Sequence, residues 1–331
     1  MGKRRKISEF EIIERYFAPL AAAEPGALGL IDDAAVLALD AGHRMVVTTD
    51  TLIAGVHFRP LDAPEDIAAK VLRVNLSDLA AMGAQPISYT LSAALTDAID
   101  EDWLACFSKS LASDQIRYAI TLVGGDTVAT PGPLSFGVTA FGSVKEGSEL
   151  RRSSAHPGDS VFVSGTIGDA ALGLLALRGE LKDLDAASAQ FLIDRYLRPQ
   201  PRIELGHRLI GQIHAAADIS DGLVADLDHI AQASGVAVIL EASLVPLSSA
   251  ARTALSGNPA LMDTVLSGGD DYELIFTSPP GAASSLALLA DETGIALTRV
   301  GTVAEGNGTG VRVVDSAGKK KNISEAGYRH F

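Results

Sequence analysis

Asn75-Leu76-Ser77-Asp78-Leu79-Ala80-Ala81-Met82-Gly83-Ala84 closes a helical run that opens at Pro64 and stops at Gly83. Proline suits the first helical turn, where its missing N–H costs nothing, and glycine suits the left-handed position past the last turn. At about 100° per residue, Asp66, Lys70, Arg73 and Ser77 fall in one polar sector, while Ile67, Val71, Val74 and Met82 lie opposite. Asp78 falls on the apolar side, with Asn75 one turn before it. An interior carboxylate is costly unless it is paired or coordinates a metal. Asp78 is therefore either bonded to backbone amides or an arginine, or it holds a cation.

Upstream of this helix, Ser8 and Glu11 form a capping box, and Phe10, Ile13 and Phe17 recur at helical spacing as far as Pro19. Apolar runs at 34–39 and 45–47 flank Asp40-Ala41-Gly42-His43, which predicts two strands and a tight turn. Thr48-Thr49-Asp50-Thr51 then stands at a strand end. Downstream, Ile87, Tyr89, Leu91, Ala93 and Leu95 alternate as a strand, 103–111 predicts a helix, and 118–123 predicts a strand ending in Gly124-Gly125-Asp126-Thr127. Phe136, Val138, Ala140 and Val144 alternate again. Strands and helices are interleaved, so the fold class is α/β with mixed α+β sheets.

A charged, Ser-rich segment at 145–156, followed by Pro157-Gly158-Asp159, predicts a boundary near residue 150 and two domains, 1–150 and 151–331. The length itself favours roughly two domains of about 150 residues. In the second half, 160–163 predicts a strand, and Gly165-Thr166-Ile167-Gly168 turns into a helix over 170–177. The segment 194–201, with Arg195, Arg198 and two prolines, predicts a rigid connector before a helix at 202–210. A strand at 215–219 delivers Asp218, and Ser220 is placed to cap the helix that follows. Further strands are expected at 236–240, 272–276, 297–303 and 311–314, with Gly306-Asn307-Gly308-Thr309-Gly310 as a turn between the last two.

The formal charge is −14 across 331 residues, which disfavours nucleic-acid binding through a basic face. A small anion can still bind where divalent metal inverts the local field. One cysteine, Cys106, excludes an intrachain disulfide, and its apolar neighbours predict a packed thiol. No apolar run reaches membrane-spanning length and no signal-peptide core follows the basic Lys3-Arg4-Arg5-Lys6, so no membrane is expected and a cytoplasmic location is.

Six acidic motifs carry the chemistry: Asp32-Asp33, Thr48-Thr49-Asp50-Thr51, Asn75-Leu76-Ser77-Asp78, Gly124-Gly125-Asp126-Thr127, Asp218-Ile219-Ser220-Asp221-Gly222 and Gly268-Gly269-Asp270-Asp271-Tyr272-Glu273. Hard oxygen donors without thiolates are what Mg²⁺ selects. A P-loop, the protein-kinase signatures, a His-Glu-x-x-His zinc motif and a Gly-x-Ser-x-Gly nucleophile are all absent from the sequence. His57, Arg59 and Arg152 are cations able to meet phosphate oxygens. ATP brings about four negative charges and a phosphorylated acceptor about two more, a repulsion that several Mg²⁺ ions would resolve. Metal-dependent phosphoryl chemistry is the expected function.

In this order, and together with Gly55-Val56-His57-Phe58, the Leu79-Ala80-Ala81-Met82-Gly83-Ala84 extension and the closing Gly327-Tyr328-Arg329-His330-Phe331, the motifs resemble the thiamine-monophosphate kinases of the aminoimidazole-ribonucleotide-synthase-like superfamily. The resemblance implies an N-terminal α/β domain that dimerises, a C-terminal α/β domain, and ATP held by several Mg²⁺ ions near a homodimer interface. The implied reaction moves the γ-phosphoryl of ATP onto the phosphate of thiamine monophosphate. By motif position it implies Asp33, Thr48, Thr49, Asp50, Asp78, Asp126, Asp218 and Asp221 as metal ligands. Gly125, Asp126, Arg152 and Ser220 are the implied ATP contacts, and His57 and Asp270 the implied substrate contacts, with Glu325 where the family commonly carries an aromatic. Ile31 stands where the family often has Gly, and Asp270 where it usually has Glu. An acceptor phosphate is already ionised near neutral pH, so no general base is expected. The alternatives are an aminoimidazole ribonucleotide synthase-like enzyme and a nucleotide-binding regulator without turnover.

Overall fold

The structure, a computed structural model, describes residues 8–32, 34–305, 308–323 and 327–328. The chain divides into two compact units, Met1–Leu79 with Gln85–Glu146, and Ala80–Ala84 with Gly147–Phe331.

In the first unit, Ser8 and Glu11 cap α1 (Glu9–Ile12) reciprocally, the Glu11 amide donating to Ser8 Oγ at 3.3 Å and the Ser8 amide to Glu11 Oε2 at 2.9 Å. Pro19 does not end the run; helical backbone continues as a π turn over Ile13–Phe17 and a 3₁₀ turn over Ala18–Ala21. Residues 34–39 are not a strand. Their one ladder-like bond runs from the Val36 amide to the Gly26 carbonyl at 2.8 Å, while Ala35 and Leu37 pack on Ala21, Ala27 and Val123.

The unit's sheet holds β1 (His43–Ile53), β2 (Gln85–Leu95), β3 (Thr121–Ala129) and β4 (Ser135–Lys145) in the order β1-β4-β2-β3, with only the β2/β3 pair parallel. Gly124-Gly125-Asp126 lies within β3 instead of closing it, because pairing with β2 continues from Leu91–Gly125 to Leu95–Ala129. One face is covered by α2 (Pro64–Ala81) and α3 (Glu101–Tyr118), where Trp103 and Phe107 stack on Phe136 of β4 at 6.1 and 4.7 Å. On β1 the residues of opposite parity, Met45, Val47, Thr49 and Thr51, are exposed.

Helix α2 ends as its sequence requires, with Gly83 at φ +71° beyond the last turn. Its polar sector is nevertheless buried: Lys70, Arg73 and Ser77 are all covered, and Arg73 makes a two-pronged pair with Asp114 of α3 at 2.7 Å for each bond. Asp78 is half-buried. Cys106, expected to be packed, is exposed on α3, whose inner face carries Leu104 and Phe107 instead.

The second unit is built on a sheet of β5 (Ser160–Ser164), β6 (Ala215–Asp218), β7 (Ala237–Glu241), β8 (Leu274–Ser278), β9 (Leu297–Val303) and β10 (Gly310–Val314), in the order β10-β7-β9-β5-β8-β6. Only β10/β7 is parallel. One apolar cluster joins Val161, Val163, Leu223, Leu227 and Ile275, and another joins Phe162, Phe276, Leu205 and Leu209. The helices are α4 (Asp169–Leu177), α5 (Ala186–Leu197), α6 (Ile203–Arg208), α7 (Leu223–Ser234), α8 (Ser249–Gly257), α9 (Leu261–Ser267) and α10 (Ala283–Thr293). Helix α5 takes in Arg195, which the sequence places in a connector.

Candidate functional site

In the first unit, β1 and α2 bring Thr48 and Asp78 together, the Thr48 hydroxyl donating to Asp78 Oδ2. Asp50 shares strand parity with Thr48 and is half-buried. Thr49 turns to the other side of β1, donating to the Val138 carbonyl at 3.0 Å and accepting from the Thr139 hydroxyl at 3.1 Å. One turn before Asp78, the fully buried Asn75 uses its amide nitrogen on the Val71 carbonyl at 3.2 Å, while its Oδ1 has no hydrogen-bond partner among the described residues. An orphaned interior oxygen beside an all-oxygen donor set of Thr48, Asp50 and Asp78 fits a hard cation with its water shell.

Gly125 and Asp126 are both exposed, and with Asp32 they line a recess of about 130 Å³ floored by Leu91, Leu122 and Val123. Gly125 is there because a Cβ would stand 1.9 Å from the Leu91 carbonyl oxygen. Asp33 lies outside the described residues. Ile31, where a glycine is common in the family, has an ordinary φ of −111°; the left-handed residues are Leu28, Gly29 and Leu30 just before it. His57 accepts the Ile53 amide on Nδ1 at 3.0 Å, so its neutral ring carries the proton on Nε2, the nitrogen able to donate to a phosphate.

In the second unit, two of the acidic motifs are laced together by backbone. The Asp270 amide donates to the Ser220 carbonyl, the Tyr272 amide to the Ile219 carbonyl and the Ile219 amide to the Glu273 carbonyl, each at 2.8 Å. A Cβ on Gly269 would meet Ser220 O at 2.3 Å, and one on Gly222 would meet Ser267 O at 2.6 Å, which is why these positions lack side chains. Asp218 closes β6 and is buried, while Ser220, Asp221 and Asp270 are half-buried. Asp270 holds φ +72°, a conformation aspartate tolerates better than most residues, and its carboxylate accepts the Tyr272 hydroxyl at 3.2 Å.

Ser220 does not cap α7 through its side chain. The amides of Ser220, Asp221 and Gly222 instead donate to Asp226 Oδ2 at 3.0, 3.0 and 3.1 Å. Burial pushes the Asp226 carboxyl up to about 7, and the Asp221 carboxylate adds to the rise; the Asp221 and Gly222 amides and the Arg152 charge oppose it. Arg152, exposed in a short 3₁₀ turn, is thus within electrostatic reach of this cluster. Asp221, Asp226 and His229 offer ligand atoms within 4.8 Å of one another.

Sequence reasoning missed Asp226, and it counted Asp271, Tyr272 and Glu273 in an acidic motif without their partners; Asp271 and Glu273 serve in the structure as buried supports under the loop. Glu273 is fully buried and accepts from Arg195 at 2.8 Å, from Arg202 Nε at 2.7 Å and from the Ser164 hydroxyl at 2.6 Å. Asp271 accepts the Gly168 and Ala170 amides at 2.6 and 3.2 Å. The available signal was the spacing of Asp226 in the first turn after Gly222, where a carboxylate meets unsatisfied helix amides. Glu325 lies outside the described residues.

With this geometry in place, likeness to known proteins decides the family. Residues 31–144 match the AIR synthase related protein N-terminal domain, and residues 156–314 match its C-terminal domain. The chain is 41% identical over 304 residues to the thiamine-monophosphate kinase of Caulobacter vibrioides, covering 91% of this chain and 85% of that one. It belongs to the thiamine-monophosphate kinase family. A crystal structure of thiamine-monophosphate kinase from Stenotrophomonas maltophilia K279a superposes with a TM-score of 0.83 at 44% identity, covering 93% of this chain and 96% of that one. A second member, described as AaThiL complexed with AMPPCP and TMP, superposes with a TM-score of 0.77 at 31% identity, covering 100% of this chain and 99% of that one. The family resemblance and the mixed α/β fold read from the motifs are borne out.

Proposed function

We propose that the chain transfers the γ-phosphoryl group of ATP to the phosphate of thiamine monophosphate, giving thiamine diphosphate and ADP. An acceptor phosphate oxygen forms the new P–O bond as the bond between the γ-phosphorus and the β,γ-bridging oxygen breaks, its electron pair leaving on ADP. The observation that carries this reading is membership of the family across nearly the full length, combined with acidic motifs held in place by backbone and buried ion pairs instead of by one another's charge.

Mg²⁺ fits the donors present, which are oxygens in both units. In the first unit Thr48, Asp50, Asp78 and Asp126, with Asp33, would hold it, while Thr49, expected among the ligands, turns its side chain to the other face of β1; in the second, Asp218 and Asp221 would. When bound, it supplies charge neutralisation between phosphates and polarises the transferring group. Gly125, Asp126, Arg152 and Ser220 would contact ATP, and His57, Asp270 and Glu325 the acceptor. No side chain is assigned as a base, because the acceptor oxygen carries no proton that must be removed. We place most of the nucleotide and metal ligands in residues 1–150, with Arg152, Asp218, Ser220 and Asp221 added from residues 151–331; residues 1–150 also dimerise, with the exposed β1 residues Met45, Val47 and Thr51 meeting a second copy. The cytoplasm, where ATP is abundant, is the proposed location; no helix among the described residues is long and apolar enough to cross a membrane.

The test is product formation. Incubation with ATP, Mg²⁺ and thiamine monophosphate should release ADP and thiamine diphosphate in equal amounts. Binding of both ligands without turnover would instead establish a regulator.

A further inference from the structure

At the far end of β6 from Asp218, three side chains that the phosphoryl-transfer reading leaves unused converge. His214 immediately precedes β6, its amide anchored on the Thr277 carbonyl of β8 at 2.8 Å. His156 and Asp159 belong to the turn that leads into β5, the other neighbour of β8. Nδ1 of His156 and Nδ1 of His214 are 3.2 Å apart, and His214 Nδ1 is 3.0 and 2.9 Å from the two Asp159 oxygens. The imidazoles meet edge to face with centroids 4.6 Å apart. Asp159 is 1% exposed, whereas His156 is exposed and His214 partly so. Its carboxylate is aimed by the His156 amide, which donates to Oδ2 at 2.9 Å.

This arrangement is poorly satisfied by protons alone. A neutral imidazole has one N–H. If His214 Nδ1 carries it, that single proton must serve both the Asp159 carboxylate and the lone pair of His156. If it does not, a nitrogen lone pair faces the carboxylate directly. A cation at the point of convergence would accept all three lone pairs at once. Donors around a tetrahedral ion at about 2.0–2.1 Å stand about 3.3–3.4 Å apart; the His156–His214 and His214–Asp159 spacings of 3.2 and 2.9 Å are close to this, and the three ligand atoms all lie within 4.8 Å of one another.

We propose that His156, Asp159 and His214 form a divalent transition-metal site of the zinc type, separate from the oxygen-donor motifs. Two imidazoles with one carboxylate favour Zn²⁺, Co²⁺ or Ni²⁺ over Mg²⁺. The exposed His156 side leaves a coordination position for water. The four-residue β6 separates His214 from the residue closing the strand, Asp218, by about 13 Å. Bound metal would tie the turn before β5 to the turn before β6 across the end of β8, a staple on the second unit.

Full-length, untagged protein titrated with Co²⁺ in a large excess of Mg²⁺ provides the test. The expected result is one saturable equivalent, with the strong visible absorption of four- or five-coordinate cobalt, displaced by one equivalent of Zn²⁺. His156→Ala, at an exposed position, should keep the metal-free melting temperature of the parent, lose the metal-induced rise in that temperature and weaken Co²⁺ binding at least tenfold. His214→Gln should weaken it as much, and His229→Ala should leave it unchanged. Absence of a saturable equivalent, retention of it in His156→Ala, or its loss in His229→Ala alone would each overturn the assignment. None of these readouts uses catalysis, so the outcome is independent of the kinase assay.

Discussion

Gly124 and Gly125 are neighbours in one motif, yet only one of them should be indispensable. A methyl on Gly125 would lie 1.9 Å from Leu91 O, against about 3.3 Å for a close C···O approach, so β2 and β3 would have to part by about 1.4 Å. Both sides of that contact are backbone, and neither can swing aside. Overpacking of this kind costs about 1–3 kcal/mol, which at about 2–4 °C per kcal/mol lowers the melting temperature by about 2–12 °C. The same parting displaces Asp126, the next residue, and a misplacement of about 1 Å at a reacting site costs about a hundredfold in rate. A methyl on Gly124 would meet only Thr90 Cγ2 at 3.6 Å, an ordinary contact, so Gly124→Ala should stay within about 0.5 kcal/mol of the parent. The two variants are compared by thermal melting and by kcat/KM for ATP. Parent-like stability and turnover in Gly125→Ala, or equal damage from both substitutions, would refute the packing argument.

Three further outcomes follow from contacts elsewhere. Asp114→Ala strands the buried Arg73 guanidinium and should cost about 3–5 kcal/mol in urea unfolding, whereas Arg73→Met with Asp114→Leu should recover most of it. Burial pushes the Asp271 carboxyl up to about 8, with the Gly168 and Ala170 amides opposing the rise and the Asp169 charge adding to it. Over that range the folded state binds more protons than the unfolded one, so this group's contribution falls as pH rises from about 4 to about 8. The urea midpoint should therefore decline less steeply from pH 5 to pH 8 in Asp271→Asn than in the parent. Thr48→Val removes the hydroxyl bonded to Asp78 and should raise the Mg²⁺ concentration for half-maximal activity about 10–100-fold, with the ATP KM at saturating metal much less affected.

Local signals in the sequence carried the elements they govern. Pro64 and Gly83 bounded α2, Ser8 with Glu11 capped α1, and alternation found β2 and β4. Features that depend on distant partners were not legible. The polar sector of α2 is buried because Asp114, forty-one residues beyond Arg73, arrives to pair with it. Residues 34–39 have strand-like apolar content, but no neighbouring strand offers them a ladder. The Gly-Gly pair looked like a terminator, yet β3 continues because the parallel partner β2 continues. Helices α5, α8, α9 and α10 escaped notice, although α5 and α8 carry an amphipathic pattern at least as strong as that of α2; α9 spans only seven residues. For the site, motif order identified the family and the residue types, but not that the Asp218–Gly222 and Gly268–Glu273 segments are fastened by their own backbone, nor that Asp226 gathers three amides.

The central claim is that these carboxylates act by holding Mg²⁺ against phosphate, and metal titration of turnover tests it most directly. With ATP and thiamine monophosphate saturating, product formation should vanish under chelation. Asp78→Asn in the first unit and Asp218→Asn in the second should each raise the half-saturating Mg²⁺ concentration at least about tenfold. Turnover that survives the chelator, or Mg²⁺ curves in both variants that overlay the parent's, would contradict the account.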